Sequence, residues 1–185
     1  MSRDLKYSVG YPFKFVLLMW FVFLIEVFTG FALANFGIIP RTTFGLIGIF
    51  TAPLLHADYV HLISNSVPML ILGTALFFFY GRISGKVFFT CYFLTGILVW
   101  CFARLSIHIG ASGLVYGIAF FLFFIGFIRK DFTSIVISFI TIFFYGGIIY
   151  GIFPGQARIS WESHLIGGFV GLYCAFKYGK EKNID

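Results

Sequence analysis

Six long apolar runs dominate this sequence and restrict it to one kind of fold. Each run has about 20 residues, the length that a helix needs to cross the ~30 Å hydrocarbon core of a bilayer. Of the 185 residues, 60% are hydrophobic and only 11% are charged, which excludes a soluble domain with a polar surface. The sequence therefore predicts an all-α, polytopic membrane protein with a single domain over residues 1–185 and helices at about 13–34, 61–80, 87–103, 112–128, 133–153 and 161–178.

The connection between the first two predicted helices, residues 35–59, is rich in apolar residues and broken by glycines and prolines. It is too apolar for a solvated loop. Irregular backbone is tolerated at a membrane only where it lies at the interface or inside the protein. We therefore expect an interfacial or re-entrant segment.

The distribution of basic residues predicts the orientation. Six spans place both termini on one side, together with the second and fourth connections. That side carries ten of the thirteen Lys and Arg residues, and the other side carries Arg41, Arg104 and Arg158. Because basic residues are enriched in cytoplasmic segments, we expect a protein of the cytoplasmic (inner) membrane with both termini in the cytoplasm. The net charge of +6 is scattered over segment ends, so the expected partner is the lipid bilayer and not nucleic acid.

Neither a cofactor nor a metal is expected. The three cysteines lie inside apolar runs and form no Cys-x-x-Cys pair. A zinc-dependent intramembrane protease would need a His-Glu-x-x-His helix, whereas His56 and His61 are five residues apart with no glutamate between them. A transporter would more typically show paired broken helices in a larger chain.

Polar side chains occur at the starts of three predicted helices that are far apart in sequence. His61 and Asn65 share one face of the second predicted helix, Ser112 begins the fourth, and His164 lies near the start of the sixth. In the predicted topology all three starts lie toward the outer face, so these side chains converge at one depth. The irregular stretch before Ser112 contains His108, which we interpret as a loop residue. Such backbone is expected beside a water-filled cavity.

These side chains suit nucleophilic catalysis. A serine needs a neighbouring base to accept its proton, and a neutral imidazole is such a base near pH 7. Our hypothesis pairs Ser112 with His164, with His61 and Asn65 as donors to an oxyanion. Tyr116, one turn after Ser112, would stack on His164 in place of the carboxylate of a triad. The structural alternatives are a helix-packing serine and interhelical hydrogen bonds from His61 and Asn65.

Three motifs carry a resemblance to a known family. They read HADYVHLISN at residues 56–65, GASGLVYG at 110–117 and HLIGGFVG at 164–171. In this order and spacing the chain resembles the rhomboid intramembrane serine proteases of the minimal six-helix bacterial type, over nearly its whole length. The resemblance implies a Ser/His dyad that cleaves transmembrane protein substrates near the outer membrane face. A catalytically silent relative that binds or escorts membrane clients is the alternative.

The resemblance also implies roles for single positions. It makes Ser112 the nucleophile and His164 the base. His61 and Asn65 match the oxyanion pair, and Tyr116 matches the residue packed on the base. Gly110 matches the glycine before the nucleophile, and His56 matches a structural histidine. Two positions depart from the family pattern: Ile47-Gly48 stands where many members have Trp-Arg, and Phe77 replaces an acidic residue. Both concern loop anchoring and stability more than chemistry.

Overall fold

The computed structural model describes residues 4–155 and 160–181 of the chain. Its regular structure is helical, and the one extended pairing among these residues is an isolated bridge between Ile38 and His108. The predicted all-α fold class is therefore confirmed. The α-helices are α1 Leu5–Thr29, α2 Gly48–Thr51, α3 Tyr59–Phe79, α4 Gly81–Phe102, α5 Ser112–Arg129, α6 Phe132–Tyr145 and α7 Trp161–Tyr178.

The first helix begins and ends earlier than its apolar run predicted. Asp4 caps it, since the Asp4 side chain accepts a hydrogen bond of 2.9 Å from the backbone N–H of Lys6. At the other end Gly30 takes a φ of 68°, and its N–H donates to the carbonyl of Glu26. The predicted bounds of 13–34 were wrong because the cap residues, not the ends of the apolar run, determine where the helix starts and stops.

The basic segment at residues 81–86, which the predicted helices 61–80 and 87–103 leave as a connection, is the first part of α4. Tyr80 alone separates α3 from α4, and its ψ of 29° redirects the chain. Arg82 and Lys86 are exposed, so their long side chains can carry the charge to the aqueous boundary while the backbone stays helical. A charged helix end was thus mistaken for a loop.

The helix predicted over 133–153 is interrupted. α6 ends at Tyr145, and a 3₁₀ helix covers Gly146–Ile152. Three glycines in this stretch disfavour a continued α-helix. One of them, Gly151, lies so close to the hydroxyl of Tyr116 that a Cβ there would collide with it. The change of helix type therefore brings the backbone of Gly151 against α5.

The connection between α1 and α3 is a series of short helical turns, including α2, that packs on α4. Arg41 anchors it: its backbone N–H donates to the Trp100 carbonyl at 3.0 Å, and its Nη1 donates to the Ala103 carbonyl at 2.8 Å. A Cβ at Gly48 would collide with the backbone of the preceding loop. Arg41 and the close contact at Gly48 thus hold this connection in place, although it lacks the Trp-Arg pair common in the family.

α1 packs along α3. Phe77, which stands at the position of the missing acidic residue, stacks on Tyr11 with ring centroids 4.9 Å apart and planes within 8°. Further along, the indole N–H of Trp20 donates to Ser66 Oγ at 3.1 Å. A ring stack therefore joins the two helices where an acidic side chain was expected.

Within the described residues, five segments are long and apolar enough to cross a membrane, namely α1, α3, α4, α5 and the stretch Phe132–Ile152 that contains α6. α7, which we predicted as a sixth span, has 18 residues but is more polar, because it carries Glu162, His164 and Lys177. It packs against α5 and α4. Neighbouring protein thus surrounds much of this helix, which lowers the cost of its polar groups.

The closest helix contact lies between α5 and α7. A Cβ at Gly167 would collide with the carbonyl oxygen of Gly113, and a Cβ at Gly171 with that of Gly117. The two glycines on each helix are four residues apart and therefore lie on one face. This stripe, Gly113, Gly117, Gly167 and Gly171, lets the two backbones touch.

We expect Gly167→Ala to destabilise the protein by about 1–3 kcal/mol, because the new methyl group meets a helix backbone that cannot rotate away. The matched control is Gly85→Ala in α4, where a Cβ would have no atom within 4 Å. That substitution should be neutral or stabilising by roughly 0.5–1 kcal/mol, since alanine favours a helix. Thermal unfolding in detergent measures both, and equal midpoints for the two variants would contradict the close backbone contact.

Candidate functional site

Ser112 is the first residue of α5 and follows a glycine in a left-handed conformation. Gly110 has a φ of 105°, which side chains rarely adopt. Its N–H donates to the carbonyl of Ala52 at 2.8 Å, so the first connection braces this turn. Because the first N–H groups of a helix have no partner within the helix, the start of α5 presents donors beside the Ser112 hydroxyl.

His61 and Asn65 lie next to that turn. A Cβ at Gly110 would be 2.5 Å from His61 Nε2 and 3.6 Å from Asn65 Nδ2. Ala57 N–H makes a weak contact of 3.5 Å to His61 Nδ1, which leaves Nε2 as the protonated nitrogen of a neutral ring. Asn65 is buried and donates one amide hydrogen to the His61 carbonyl at 3.0 Å. The structure therefore gathers two side-chain donors at the start of α5.

The ring of His164 is held on two sides. Its Nδ1 lies 2.9 Å from the carbonyl oxygen of Gly151, and because a carbonyl only accepts, Nδ1 carries the proton. Tyr116 stacks on the ring face with centroids 4.1 Å apart and planes within 8°. The Tyr116 hydroxyl in turn donates to the Ile148 carbonyl at 2.9 Å. These contacts leave Nε2 as the basic nitrogen of a neutral His164.

The crossing of α5 and α7 brings the nucleophile candidate and the base candidate into one region. Ser112 adjoins Gly113, and a Cβ at Gly113 would lie 3.2 Å from the carbonyl oxygen of Ser163, the residue before His164. Tyr116 lies one turn after Ser112 on α5 and contacts His164 directly. No hydrogen bond joins the Ser112 and His164 side chains in this structure. The predicted residues thus lie near the crossing of α5 and α7, although Ser112 and His164 are not hydrogen-bonded to each other.

Two contacts that the sequence analysis missed join the loop before α5 to the start of α7. His108 is buried, and its Nε2 donates to the Arg104 carbonyl at 3.0 Å while its Nδ1 lies 2.6 Å from Ser160 Oγ. Burial lowers the pKa of His108, so the ring is neutral at pH 7 and accepts from Ser160. The guanidinium of Arg104 also lies 3.5 Å from the buried carboxylate of Glu162. His108 is therefore a linking residue and not merely a loop residue.

A small cavity lies beside the same turn, between α4, α5 and α7. Its volume is about 30 Å³, and its lining includes Thr95, Gly110, Gly113 and Ser163. Such a volume is sufficient for one water molecule. The hydroxyl oxygen of Thr95 is buried with no protein partner among the described residues. The cavity therefore offers a polar position for water next to the backbone that carries Ser112.

His56 lies behind His61 and is 1% exposed. Its Nδ1 donates to the Leu54 carbonyl at 3.3 Å, and its ring meets that of His61 edge to face at 5.0 Å. Burial, with a smaller contribution from His61, lowers the pKa of His56 to about 4. His56 is therefore an uncharged packing partner of His61 at pH 7.

No group of three His, Cys, Asp or Glu side chains suited to a metal ion occurs within residues 4–155 and 160–181. The polar groups near the start of α5 and at His164 are imidazoles, an amide, hydroxyls and backbone groups. An uncharged set of this kind is suited to proton transfer and to hydrogen bonding with a developing anion.

Comparison with known proteins places all the candidate site residues inside one matched region. A family model described as Rhomboid domain matches residues 43–181. Uncharacterized proteins of Mycobacterium bovis and Mycobacterium tuberculosis are each 39% identical to this chain over 174 residues, which is 88% of this chain and 71% of theirs. An uncharacterized protein of Mycobacterium leprae is 33% identical over 189 residues, 95% of this chain and 74% of its own.

The buried His56 predicts an acid-sensitive component of stability. Because its folded pKa is about 4 against an ordinary 6.5, the unfolded chain binds more protons between these values. Stability from this group is complete above pH 6.5 and is lost as the pH falls toward 4, by up to about 1.4 kcal/mol per pH unit. We expect His56→Phe, which keeps a ring but cannot titrate, to flatten that part of the profile.

Thermal unfolding midpoints of the parent and of His56→Phe, measured in detergent from pH 4 to 8, test this expectation. The difference between the two proteins should be constant above pH 7 and should change below pH 6.5. Parallel profiles over the whole range would mean that His56 does not titrate as its burial requires.

Proposed function

Because this chain belongs to the rhomboid family, we propose that it is an intramembrane serine endopeptidase whose nucleophile is Ser112 and whose base is His164. The observation that carries the proposal is the pair of contacts on His164, the Gly151 carbonyl at Nδ1 and Tyr116 on the ring face. A packing histidine would need neither a defined tautomer nor an oriented ring. A general base needs both.

In the proposed reaction, Ser112 Oγ attacks a peptide carbonyl while His164 Nε2 takes its proton. The imidazolium that forms is stabilised by the Gly151 carbonyl oxygen and by the face of Tyr116. The backbone carbonyl thus takes the orienting role that a carboxylate has in a triad. His164 then donates its proton to the leaving amine, which releases the first product and leaves an acyl group on Ser112. Water completes the hydrolysis with His164 again acting as base.

The negative oxygen of the tetrahedral intermediate would lie at the turn of Gly110. His61 Nε2–H, the second amide hydrogen of Asn65 and the N–H groups at the start of α5 are the available donors. Each such donor is typically worth a factor of about 10²–10³ in rate. His56 would support this set by packing on His61, and Gly110 by leaving room for it.

The protein is a multi-pass membrane protein, and its partners in this proposal are the lipid bilayer and transmembrane protein substrates. The site lies at the starts of α3, α5 and α7, the end opposite most basic residues. By the distribution of Lys and Arg, that end is the outer face of the cytoplasmic membrane, with both termini in the cytoplasm. The bonds cleaved would therefore lie near the outer membrane surface.

The first experiment is labelling of detergent-solubilised protein with a fluorophosphonate, which reacts with activated serines. The parent should be labelled, whereas Ser112→Ala and His164→Ala should lose labelling by at least about 10²-fold, the usual contribution of a general base. Ser106→Ala is the matched control, because Ser106 lies exposed in the loop six residues before Ser112, and it should label like the parent. A folded parent that does not react would instead favour a silent relative that binds or escorts clients.

Tyr116 provides a second test. Tyr116→Phe keeps the ring face against His164 and loses only the hydrogen bond to Ile148, whereas Tyr116→Leu removes the stack. Since such aromatic contacts are worth about 0.5–1.5 kcal/mol, the leucine variant should label roughly 2–10 times more slowly than the phenylalanine variant. Equal rates for the two variants would show that stacking does not orient the base.

A further inference from the structure

A second polar cavity lies at the end of the bundle opposite Ser112. It occupies about 590 Å³ between the α3–α4 junction, the turn from α5 to α6 and the end of α7. α5 rises ~25 Å from Ser112 to Arg129, so the cavity lies about one hydrocarbon thickness from the proposed catalytic site. Its polar lining consists of Tyr80, Arg129, Asp131, Thr133, Ser134, Lys180 and Glu181. None of these residues takes part in the proposed hydrolysis.

Tyr80 is the unusual member of this lining. It is 1% exposed, and its hydroxyl has no hydrogen-bond partner among the described residues. Burial raises the pKa of Tyr80 to about 12, so the hydroxyl stays protonated and available as a donor. The Ser134 hydroxyl on the same wall already donates to Asp131 at 2.8 Å. A buried donor without a partner is destabilising, so this hydroxyl favours a bound acceptor.

The two carboxylates of the lining are already engaged. Asp131 accepts hydrogen bonds from both the backbone N–H and the hydroxyl of Ser134, at 2.9 and 2.8 Å. Glu181 accepts two hydrogen bonds from the ammonium of Lys86, at 3.0 and 2.8 Å. Lys86 therefore neutralises Glu181, whereas Asp131 is held by neutral donors and keeps its negative charge.

Several hydrogen-bond donors of the cavity, in contrast, have no acceptor within the described ranges. Lys180 and the Thr133 hydroxyl make no hydrogen bond within the part of the chain that the structure describes, and Tyr80 lacks a partner as well. Arg129 lies with its guanidinium 4.9 Å from the centre of the Tyr80 ring. It donates to the carbonyls of Gly179 and Glu181 at 2.7 and 3.0 Å and keeps its positive charge. The cavity thus has more free donors than free acceptors, and because Lys86 neutralises Glu181, the charges of Arg129 and Lys180 outweigh that of Asp131.

We propose that this cavity binds the phosphate group of a membrane phospholipid headgroup. A phosphodiester supplies acceptor oxygens and one negative charge, which complements Tyr80, Thr133, Lys180 and Arg129. Phe79 and Ile128 complete the lining with apolar surface, suited to the first carbons of a lipid. The cavity also lies at the depth of the headgroups, where phospholipid phosphate is abundant.

The test is titration of detergent-solubilised full-length protein with dioleoyl phosphatidylglycerol, followed by native mass spectrometry. We expect Tyr80→Phe and Lys180→Gln each to raise the apparent Kd at least fivefold. Lys177→Gln removes the same charge from an exposed position in the last turn of α7 and should stay within twofold of the parent. Equal Kd values for all four proteins would overturn the proposal.

Unfolding temperatures separate loss of binding from loss of folding. Without lipid, Tyr80→Phe should unfold at or above the parent temperature, because it removes an unpartnered buried hydroxyl. With lipid, the parent should gain more stability than the variant. An equal gain for both proteins would exclude Tyr80 from the site and contradict the proposal.

Two competitors identify the source of the phosphate. Glycerol 3-phosphate should displace bound phosphatidylglycerol only at concentrations at least tenfold higher, since it lacks the acyl chains. Competition at equal concentration would assign the cavity to a soluble phosphate ester and overturn the lipid assignment. Dioleoylglycerol, which has no phosphate, should not compete, and displacement by it would show that the cavity recognises acyl chains alone.

Discussion

The backbone contact between α5 and α7 is the interaction on which the rest of the molecule depends. Gly113 and Gly117 meet Gly167 and Gly171 so closely that no side chain fits between them. In a bilayer, an apolar helix surface gains little by leaving lipid for another helix, because both are apolar. Close packing therefore has to hold the helices together. Because Ser112 directly precedes this stripe on α5 and His164 precedes it by one turn on α7, the same contact brings the candidate nucleophile and base together.

Around this contact, most buried polar groups are paired by backbone carbonyls and by neighbouring loops. His164 uses the Gly151 carbonyl, His108 uses the Arg104 carbonyl, and Gly110 uses that of Ala52. Carbonyls are available here because the 3₁₀ segment after α6 and the loop before α5 are not regular α-helix. The irregular segments thus supply carbonyl acceptors that, in an α-helix, would be used in intrahelical hydrogen bonds.

Much of the fold could be predicted because a bilayer permits few solutions. Runs of about 20 apolar residues identify helices, and the bounds of α5 and α7 agree with the expected 112–128 and 161–178 to within one residue. The errors fall at helix ends: Asp4 and Gly30 bound α1, residues 81–86 are helical, and α6 stops at Tyr145, all for reasons of capping or glycine content that hydrophobicity does not report.

The sequence by itself determined the all-α membrane fold, the rhomboid family and the residue types of the candidate site, because these follow from apolar run length and from local motifs. Only the tertiary structure decided which carbonyl faces His164, that His108 joins the loop to α7 through Ser160, and that Glu162 pairs with Arg104. The donor-rich cavity around Tyr80 was likewise decided only by the tertiary structure. These contacts join segments that are up to about a hundred residues apart, and their partners are fixed by how helices cross, which no local periodicity encodes.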